Sequence, residues 1–350
     1  MMPPKSYIKK AILYQSLTEG KVQCNICQRR CKIPPGKRGY CWDRMNLDGK
    51  LFTLAYGQVA TSWIAPIEIK PMFHFYPGSR AFSLGTLGCN FRCPGCQNWD
   101  IAHRQIQEDT PLTEYIAPEE AVEAARNSGC QGISWTYNEP TVWFEYTLDS
   151  AKMAKKNHLY TNYVTNGFIS EEALDLIGPY LDSYRVDIKG FSRRSYGKIA
   201  HISDFTPILE NTIRAKEKWS MHVEVVTNVI PGYSDDESQM KDLATWIADH
   251  LGVKTPWHVT RFIPHLRLSH LPATPVATLE RIIEIGKSCG LQYVYIGNVP
   301  GHPLENTYCH SCGELLIRRM GYSVSECNLE GNCCIFCGAP IPIVGEVLSV

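Results

Sequence analysis

The sequence predicts an α/β fold, a full or partial (βα) barrel with a small cysteine-rich, metal-binding appendage at each end. Between residues 81 and 299, short β-rich runs alternate with amphipathic helical patterns. Cysteines cluster before and after that region in stretches rich in Gly and Pro. The chain of 350 residues is long enough to bury one large core that carries such appendages.

Seven predicted strands form the sheet of the barrel. Strands that alternate with helices indicate parallel βαβ units, and a doubly wound open sheet is the alternative to a barrel. In both folds, functional residues lie at the C-terminal ends of the strands. The predicted strands are Ala81–Leu87, Gly132–Tyr137, Tyr160–Thr165, Ser183–Ile188, His222–Val229, Trp257–Ile263 and Tyr293–Val299. The predicted helices are Pro118–Asn127, Val142–Lys156, Glu171–Leu181, Ile208–Lys218, Glu237–Leu251 and Thr278–Cys289.

Composition divides the chain into four segments. Residues 1–50 form an N-terminal cysteine-rich metal-binding segment, and residues 51–80 form a connecting segment. Residues 81–300 are the barrel core. Residues 301–350 form a C-terminal segment like a zinc ribbon or rubredoxin knuckle, in which metal replaces a hydrophobic core.

The charge balance excludes whole-protein attraction to nucleic acid or to an anionic membrane, because 35 basic side chains match 35 acidic ones. The pairs Lys9-Lys10 and Arg318-Arg319 are too few for a basic nucleic-acid-binding face. No apolar run reaches the roughly 18 residues of a membrane span, and residues 1–15 lack the apolar stretch of a signal peptide. We therefore expect a cytoplasmic protein without a membrane or nucleic-acid partner.

Fifteen cysteines are an unusual load, and all but Cys130 and Cys289 fall into three spaced groups. Steps of the type C-x-x-C in a reducing compartment indicate metal ligands, whereas a disulfide framework is the less favoured alternative. We interpret Cys130 and Cys289 as ordinary buried thiols.

The central group, Cys89, Cys93 and Cys96, directly follows the first predicted barrel strand. Three thiolates so closely spaced can wrap one loop around a single [4Fe-4S] cluster and leave the fourth iron without a protein ligand. An open iron can chelate a small molecule, whereas clusters with four cysteines only carry electrons. A zinc knuckle with a distant fourth ligand is the alternative.

The triplet with Gln97-Asn98 after it resembles the radical S-adenosylmethionine (SAM) superfamily, and within it the group that includes pyruvate formate-lyase activating enzyme. Four later strand ends resemble the same group, namely Thr136–Pro140, Thr165–Gly167, Asp187–Lys189 and Val229–Tyr233. The resemblance implies a radical SAM fold, in which the cluster cleaves SAM to a 5′-deoxyadenosyl radical. It implies cofactor-binding roles for Asn138, Glu139, Thr165, Asn166, Asp187, Lys189, Val229 and Pro231.

Nearly the whole chain resembles one subfamily, the radical SAM component of the AmmeMemoRadiSam system. The motifs that carry this resemblance are Pro66–Glu68, His74–Ser79, Cys96–Trp99, Thr136–Pro140 and Asn306–Cys309. The resemblance implies an external one-electron reductant such as flavodoxin or ferredoxin. It leaves the substrate open between a protein backbone, as in glycyl radical activation, and a small molecule.

Three positions depart from the pattern. Gly95 stands where an aromatic residue usually contacts adenine, so another group such as Trp99 has to cover that face. Val164 replaces an acidic residue that helps to bind a cation beside SAM in the activating enzymes, which puts that cation site in doubt. Ile263 stands where the subfamily pattern has a His, and His265 is the neighbouring candidate.

Each polar residue at a strand end also has a structural interpretation. Asn138, Asn166 and Asp187 could cap the helices that follow them. Lys189 beside an acidic residue suits a carboxylate ligand or a phosphate, with a solvated surface pair as the alternative. Taken together after a cluster loop, these residues favour a SAM site.

The C-terminal group consists of two C-x-x-C-G knuckles, Cys309 with Cys312 and Cys334 with Cys337. Four thiolates close the metal shell, so we expect a structural site that holds zinc or iron. Cys333 adjoins Cys334 and could compete with it as the ligand.

The N-terminal group Cys24, Cys27, Cys31 and Cys41 also offers four thiolates. Its pattern of short knuckles slightly favours zinc, and a second iron–sulfur cluster is the alternative. A non-catalytic zinc protein that binds nucleic acid or a protein partner is the competing hypothesis for the whole chain.

Overall fold

The computed structural model describes residues 7–105 and 113–348. Residues 1–6 of the predicted N-terminal segment, 106–112 of the predicted barrel core and 349–350 of the predicted C-terminal segment therefore lie outside the described part. Its α-helices are α1 (Trp99–Ala102), α2 (Pro118–Asn127), α3 (Phe144–Lys156), α4 (Glu171–Ile177), α5 (Arg193–Ile199), α6 (Thr206–Glu217), α7 (Glu237–Trp246) and α8 (Val276–Ser288). None of these helices is long and apolar enough to cross a membrane.

The strands fall into short hairpins near both ends and a run of parallel strands between them. The N-terminal strands are β1 (Lys9–Lys10), β2 (Tyr14–Ser16), β3 (Val22–Cys24), β4 (Lys32–Ile33), β5 (Arg44–Leu47), β6 (Lys50–Thr53), β7 (Gln58–Val59) and β8 (Thr61–Pro66). The central strands are β9 (Arg80–Gly85), β10 (Glu114–Tyr115), β11 (Gly132–Trp135), β12 (Tyr160–Thr165), β13 (Ser183–Asp187), β14 (His222–Val229), β15 (Trp257–Arg261) and β16 (Val294–Gly297). The C-terminal strands are β17 (Thr307–Tyr308), β18 (Leu315–Met320), β19 (Ser323–Cys327), β20 (Leu329–Glu330) and β21 (Cys333–Cys334).

The described residues form two compact units. The first takes its residues from Met1–Ile64, Ala81–Tyr184 and Phe205–Met221, and the second from Ala65–Arg80, Arg185–Asp204 and His222–Val350. This division differs from the four segments inferred from composition, whose boundaries stay a prediction.

In the first unit, β9, β11 and β12 form a parallel sheet. Gly132 of β11 pairs with Ala81 on one side and with Tyr160 on the other. All four residues of β11 are buried, as expected for a parallel strand that is covered on both faces. Helix α3 provides the connection from β11 to β12.

In the second unit, β14, β15 and β16 pair in parallel. Trp257 of β15 pairs with Val225 of β14 and with Val294 of β16. Within each unit, the parallel strands lie side by side in the order in which they occur along the chain. A doubly wound sheet would reverse this order at its switch point. The predicted α/β fold with a parallel sheet is confirmed.

Several predicted helices end earlier or begin later than their apolar pattern. A 3₁₀ turn, Pro140–Trp143, precedes α3 because Glu139 caps it through the backbone N–H of Thr141. Gly178 and Pro179 end α4 and start a second 3₁₀ turn. Helix α5, of seven residues, was not among the predicted helices.

The connecting segment that resembled the subfamily is held by a buried network in the second unit. Glu224 accepts hydrogen bonds from the backbone N–H of Phe73 at 3.0 Å and of His74 at 2.8 Å. The His258 Nε2 atom lies 2.6 Å from Oε2 of Glu224, the oxygen that also accepts from Phe73. Burial would raise the pKa of Glu224, but the bonds from His222 and His258 hold it well below its usual range. The motif around His74 therefore has a structural role here.

Candidate active site

The loop with the central cysteines starts where β9 ends. The backbone N–H of Gly88 donates to the carbonyl of Ile101 at 3.0 Å, so helix α1 closes the loop. Within it, the N–H of Cys96 donates to the carbonyl of Cys93 at 3.2 Å. The geometry thus places the three cysteines on one compact loop at the C-terminal end of a parallel strand, as predicted.

The three thiols suit a cluster with one open iron. The N–H of Phe91 lies 3.4 Å from the Cys89 sulfur, a contact of the kind that tunes iron–sulfur clusters. Burial, with smaller contributions from Glu139, Cys93 and Cys96, raises the pKa of Cys89. A thiol in such surroundings becomes a thiolate when a metal binds, so the donor set fits a [4Fe-4S] cluster.

Asn138 holds the base of this loop. Its side-chain nitrogen donates to the carbonyl of Gly88 at 2.7 Å, and its side-chain oxygen accepts from the N–H of Thr86 at 3.2 Å. Asn98 makes a similar link, from its amide to the carbonyl of Tyr137 at 2.6 Å. The Asn138 amide is therefore engaged on both sides and holds the base of the cysteine loop in place.

Glu139 ties together the ends of β11 and β12. Its Oε1 atom accepts from the hydroxyls of Thr141 at 2.5 Å and Thr165 at 2.8 Å, and from the N–H of Thr141 at 3.1 Å. Its Oε2 atom accepts from the N–H of Asn166 at 2.7 Å. Burial raises the pKa of Glu139 in spite of these bonds. Glu139 therefore caps the turn after β11, while Ser170 caps α4 and Ser192 caps α5, so the capping roles predicted for Asn138, Asn166 and Asp187 are wrong. The cofactor-binding roles of these residues stay predictions.

Asn166 extends this network to the cluster loop. Its side-chain nitrogen donates to the side-chain oxygen of Asn90 at 2.7 Å, and its own oxygen accepts from the N–H of Phe168 at 3.0 Å. Asn90 is the residue after Cys89 and is fully buried. Sequence reasoning missed Asn90, although its place between two predicted ligands was the available signal.

The other predicted SAM residues lie in the second unit. Asp187 is bonded to Arg185 at 2.6 Å and to Lys189 at 3.1 Å. Burial would raise the pKa of Asp187, but these two cations lower it, so the carboxylate stays charged. Val229 is buried, and its carbonyl accepts from the hydroxyl of Thr274 at 2.6 Å. Pro231 is half-buried in the turn after β14.

The three positions that depart from the family pattern are all at least partly exposed, and Gly95 is half-buried. Trp99, the candidate to cover adenine, is 46% exposed at the start of α1. Val164 is half-buried, Ile263 is 42% exposed, and His265 is half-buried. Their roles stay predictions.

The C-terminal knuckles form a candidate metal centre. The sulfurs of Cys309, Cys312, Cys334 and Cys337 all lie within 4.8 Å of one another. The Cys309 and Cys337 sulfurs are 3.6 Å apart, and those of Cys312 and Cys334 are 3.8 Å apart. These distances match the roughly 3.8 Å between thiolates that each lie about 2.3 Å from one tetrahedral ion. Cys333 lies outside this group of four.

The N-terminal cysteines line one cavity with a volume of about 20 Å³, the space of about one water molecule. Burial raises the pKa of Cys24 to about 11 and that of Cys41 to about 12. Cys27 and Cys31 are half-buried in the same wall. Of the two cysteines outside the groups, Cys130 is buried as predicted, but Cys289 is only half-buried, so its predicted burial is wrong.

The sequence profile of the Radical SAM superfamily matches residues 84–244, which include the cysteine loop and the ends of β11, β12, β13 and β14. The uncharacterized protein MJ0808 of Methanocaldococcus jannaschii is 42% identical over 339 residues, which cover 96% of this chain and 100% of that protein. This chain belongs to the radical SAM superfamily. It is therefore an enzyme, and the superfamily implies a [4Fe-4S] cluster and SAM as cofactors.

More distant similarity includes an activating enzyme and a solved methyltransferase. The pyruvate formate-lyase 1-activating enzyme of Escherichia coli K12 is 22% identical over 175 residues, covering 49% of this chain and 70% of that protein. A solved radical SAM methyltransferase from Sphaerobacter thermophilus has a TM-score of 0.49 at 14% identity, covering 69% of this radical SAM chain and 71% of that one. A likeness at that score carries no argument about function. The AmmeMemoRadiSam resemblance stays a prediction.

Proposed function

We propose that Cys89, Cys93 and Cys96 hold the [4Fe-4S] cluster of this radical SAM enzyme. The bound cluster and SAM supply a 5′-deoxyadenosyl radical, which abstracts hydrogen from a substrate. The observation that supports this most is the loop itself, where three thiols follow a parallel strand and the Phe91 N–H faces the Cys89 sulfur. A three-ligand loop leaves one iron position for SAM.

Residues of this chain position the cysteine loop and form the proposed binding surface for SAM. Asn138 fixes the loop at Gly88, and Glu139 with Thr165 and Asn166 joins the two strand ends beside it. The Oε2 atom of Glu139 accepts one hydrogen bond, and a carboxylate oxygen can accept a second, which we assign to the SAM amino group. Asp187, Lys189, Val229 and Pro231 are proposed as further contacts on the second unit.

We base the proposed substrate classes on the similarity to the activating enzymes. Hydrogen abstraction from the backbone of a partner protein and from a small molecule both fit the chemistry. A one-electron donor of the flavodoxin or ferredoxin class would reduce the cluster in a cytoplasmic setting. A non-catalytic zinc protein is not favoured, because membership of the radical SAM superfamily indicates an enzyme.

Anaerobic reconstitution with iron and sulfide tests the proposal. We expect the wild-type protein to turn brown and, once reduced, to convert SAM into 5′-deoxyadenosine. Cys89→Ala, Cys93→Ala and Cys96→Ala should each abolish that product while circular dichroism stays close to wild type, because the three-ligand set has no redundancy. Cys289→Ala, outside every cysteine group, is the matched control. Wild-type deoxyadenosine production by any of the three loop variants would refute the assignment.

Label transfer then narrows the substrate. The reduced enzyme is incubated with SAM and with candidate substrates that carry deuterium at defined positions. Deuterium in the recovered deoxyadenosine identifies the position from which hydrogen is abstracted. Label from a protein fraction favours an activating role, and label from a small-molecule fraction favours a metabolic one.

A further inference from the structure

We propose that Cys24, Cys27, Cys31 and Cys41 bind a second iron–sulfur cluster and not a zinc ion. The sequence left these alternatives open with a slight preference for zinc. The geometry of the first unit reverses that preference. The identity of this metal centre does not depend on the proposed SAM chemistry, whereas its redox role does.

The spacing of the sulfur atoms distinguishes the C-terminal cysteine group from the N-terminal and central groups. The C-terminal four are gathered within 4.8 Å of one another, the spacing around one ion. In the part of the chain that the structure describes, which contains all seven other grouped cysteines named as ligands, no second set of three or more metal-binding atoms is gathered so closely. Neither the N-terminal four nor the central triplet meets that spacing among the described residues. A [4Fe-4S] cluster binds each thiolate to a different iron, so it needs sulfurs set farther apart than a single ion does.

The N-terminal cysteines are arranged around a cavity. All four line the same cavity, together with Asn90 and Arg44. Cys24 is held by a backbone bond to the carbonyl of Cys31 at 2.9 Å. Four thiols that line one cavity without being gathered around a single point can each bind a different iron of one cluster.

Asn90 provides a second observation that points to a ligand in this cavity. Its side chain is fully buried, and its Nδ2 atom has no hydrogen-bond partner among the described residues. The oxygen of the same amide accepts from Asn166, which fixes the orientation of the group. A buried N–H without an acceptor costs about 1 to 3 kcal/mol. Cluster sulfides and thiolates accept hydrogen bonds of this kind, so a bound cluster would satisfy the orphan donor.

The proposed second cluster adjoins the loop of the central one. Arg29, between two N-terminal cysteines, donates from Nε to the carbonyl of Asn90 at 2.9 Å. Arg92, between two central cysteines, donates to the carbonyl of Tyr40 at 2.5 Å. A Cβ atom added at Gly88 would lie 2.3 Å from the carbonyl oxygen of Cys41, so the two backbones are in direct contact there.

This arrangement suits single-electron transfer. A cluster with four protein ligands has no open iron, so it carries electrons and does not bind substrate. A cluster held by Cys24, Cys27, Cys31 and Cys41 would accept one electron from a donor of the ferredoxin or flavodoxin class, which would itself be oxidised by one electron. The same electron would then reduce the central cluster and leave the N-terminal one oxidised. No bond is formed or broken, and no proton moves.

Metal analysis of the full-length protein, reconstituted anaerobically, tests the inference. We expect about eight irons per chain from two four-iron clusters, beside the metal of the C-terminal knuckles. A Cys89→Ala/Cys93→Ala/Cys96→Ala variant should keep about four irons and, after reduction, an electron paramagnetic resonance signal. It should make no deoxyadenosine. A variant that contains no cluster iron and one extra zinc would overturn the inference.

Asn90→Leu supplies an arm that removes no ligand. In the otherwise wild-type protein, Asn90→Leu should keep both clusters. Combined with the triple-cysteine variant, it should shift the reduction potential of the N-terminal cluster that remains. An unchanged potential there would contradict the contact between Asn90 and the cluster. The two proposals also fail separately. A wild-type protein with two clusters but no SAM cleavage sinks the proposed function alone, and one with about four irons that cleaves SAM sinks the second cluster alone.

Discussion

Glu139 accepts a hydrogen bond through Oε2 from the backbone N–H of Asn166 at 2.7 Å, which joins the ends of two neighbouring parallel strands. Asn166 in turn donates to Asn90, the residue after Cys89. A single residue, Asn166, thereby links the Glu139 carboxylate to Asn90 in the cysteine loop. The network explains why the residues that resemble SAM ligands are also structural.

Glu139→Gln should reduce both stability and SAM affinity. The amide nitrogen of Gln cannot accept the hydrogen bonds that the carboxylate receives, so we expect a loss of about 1 to 3 kcal/mol in the free energy of unfolding. A charge-assisted bond to the SAM amino group should add a loss of about one to two decades in affinity. Denaturant melts and SAM titration followed by electron paramagnetic resonance measure the two effects. Unchanged SAM affinity would remove the cofactor role and leave the structural one.

Asn138→Ala should loosen the cluster loop. The substitution removes the donor to Gly88 and the acceptor for Thr86, both buried, so we expect lower iron retention after gel filtration and a lower melting temperature. Asn138→Asp keeps the acceptor and loses only the donor, so its iron content should fall between those of wild type and Asn138→Ala. Equal iron content in all three proteins would count against a positioning role.

Cys334→Ser and Cys333→Ser should differ sharply although the residues are adjacent. Cys334 belongs to the group of four close sulfurs, and Cys333 does not. Loss of one ligand from a structural site removes folding free energy on the order of several kcal/mol. Cys334→Ser should therefore lose the C-terminal metal and solubility, whereas Cys333→Ser should keep both. Metal analysis decides this, and similar metal loss in both variants would show that the ligand set is assigned incorrectly.

Glu68 should make the stability fall as the pH rises from about 4.5 to about 7. Burial raises the pKa of this carboxyl from 4.5 to about 7, against the opposing charge of Arg319. The folded state then binds the proton more tightly than the unfolded state, so the contribution is complete below the unfolded pKa and is lost as the pH rises through the folded pKa.

Glu68→Gln tests this pH dependence because Gln resembles the protonated acid. Its free energy of unfolding, measured in denaturant across this pH range, should decline less than that of the wild type. The exposed Glu123→Gln is the matched control and should follow the wild-type curve. Parallel curves for Glu68→Gln and the wild type would contradict a raised pKa at Glu68.

The parallel strands were predictable because their signal is local. The runs Tyr160–Thr165 and His222–Val229 coincide with β12 and β14, since β-branched and aromatic residues are bounded there by turn residues. Helix ends were less predictable. The apolar pattern continues through Gly178 and Pro179, but the α-helical hydrogen bonds do not.

The site was predictable as a set of residues but not as a set of contacts. The motifs identified Asn138, Glu139 and Asn166 as neighbours at the strand ends, which the structure bears out for the first unit. Their hydrogen bonds to Gly88, Thr165 and Asn90 depend on side-chain direction between segments far apart in the chain. No local pattern carries that information.

The sequence by itself determined the superfamily, the alternation of strands and helices and the grouping of the cysteines, because each depends on spacing along the chain. Only the tertiary structure decided which sulfurs come together. Cys333 and Cys334 occupy successive positions of β21, where side chains alternate between opposite faces, and only Cys334 is buried beside the first knuckle. The orphan amide of Asn90 was likewise invisible in the sequence, because a missing partner is a property of the folded surroundings and not of the residue.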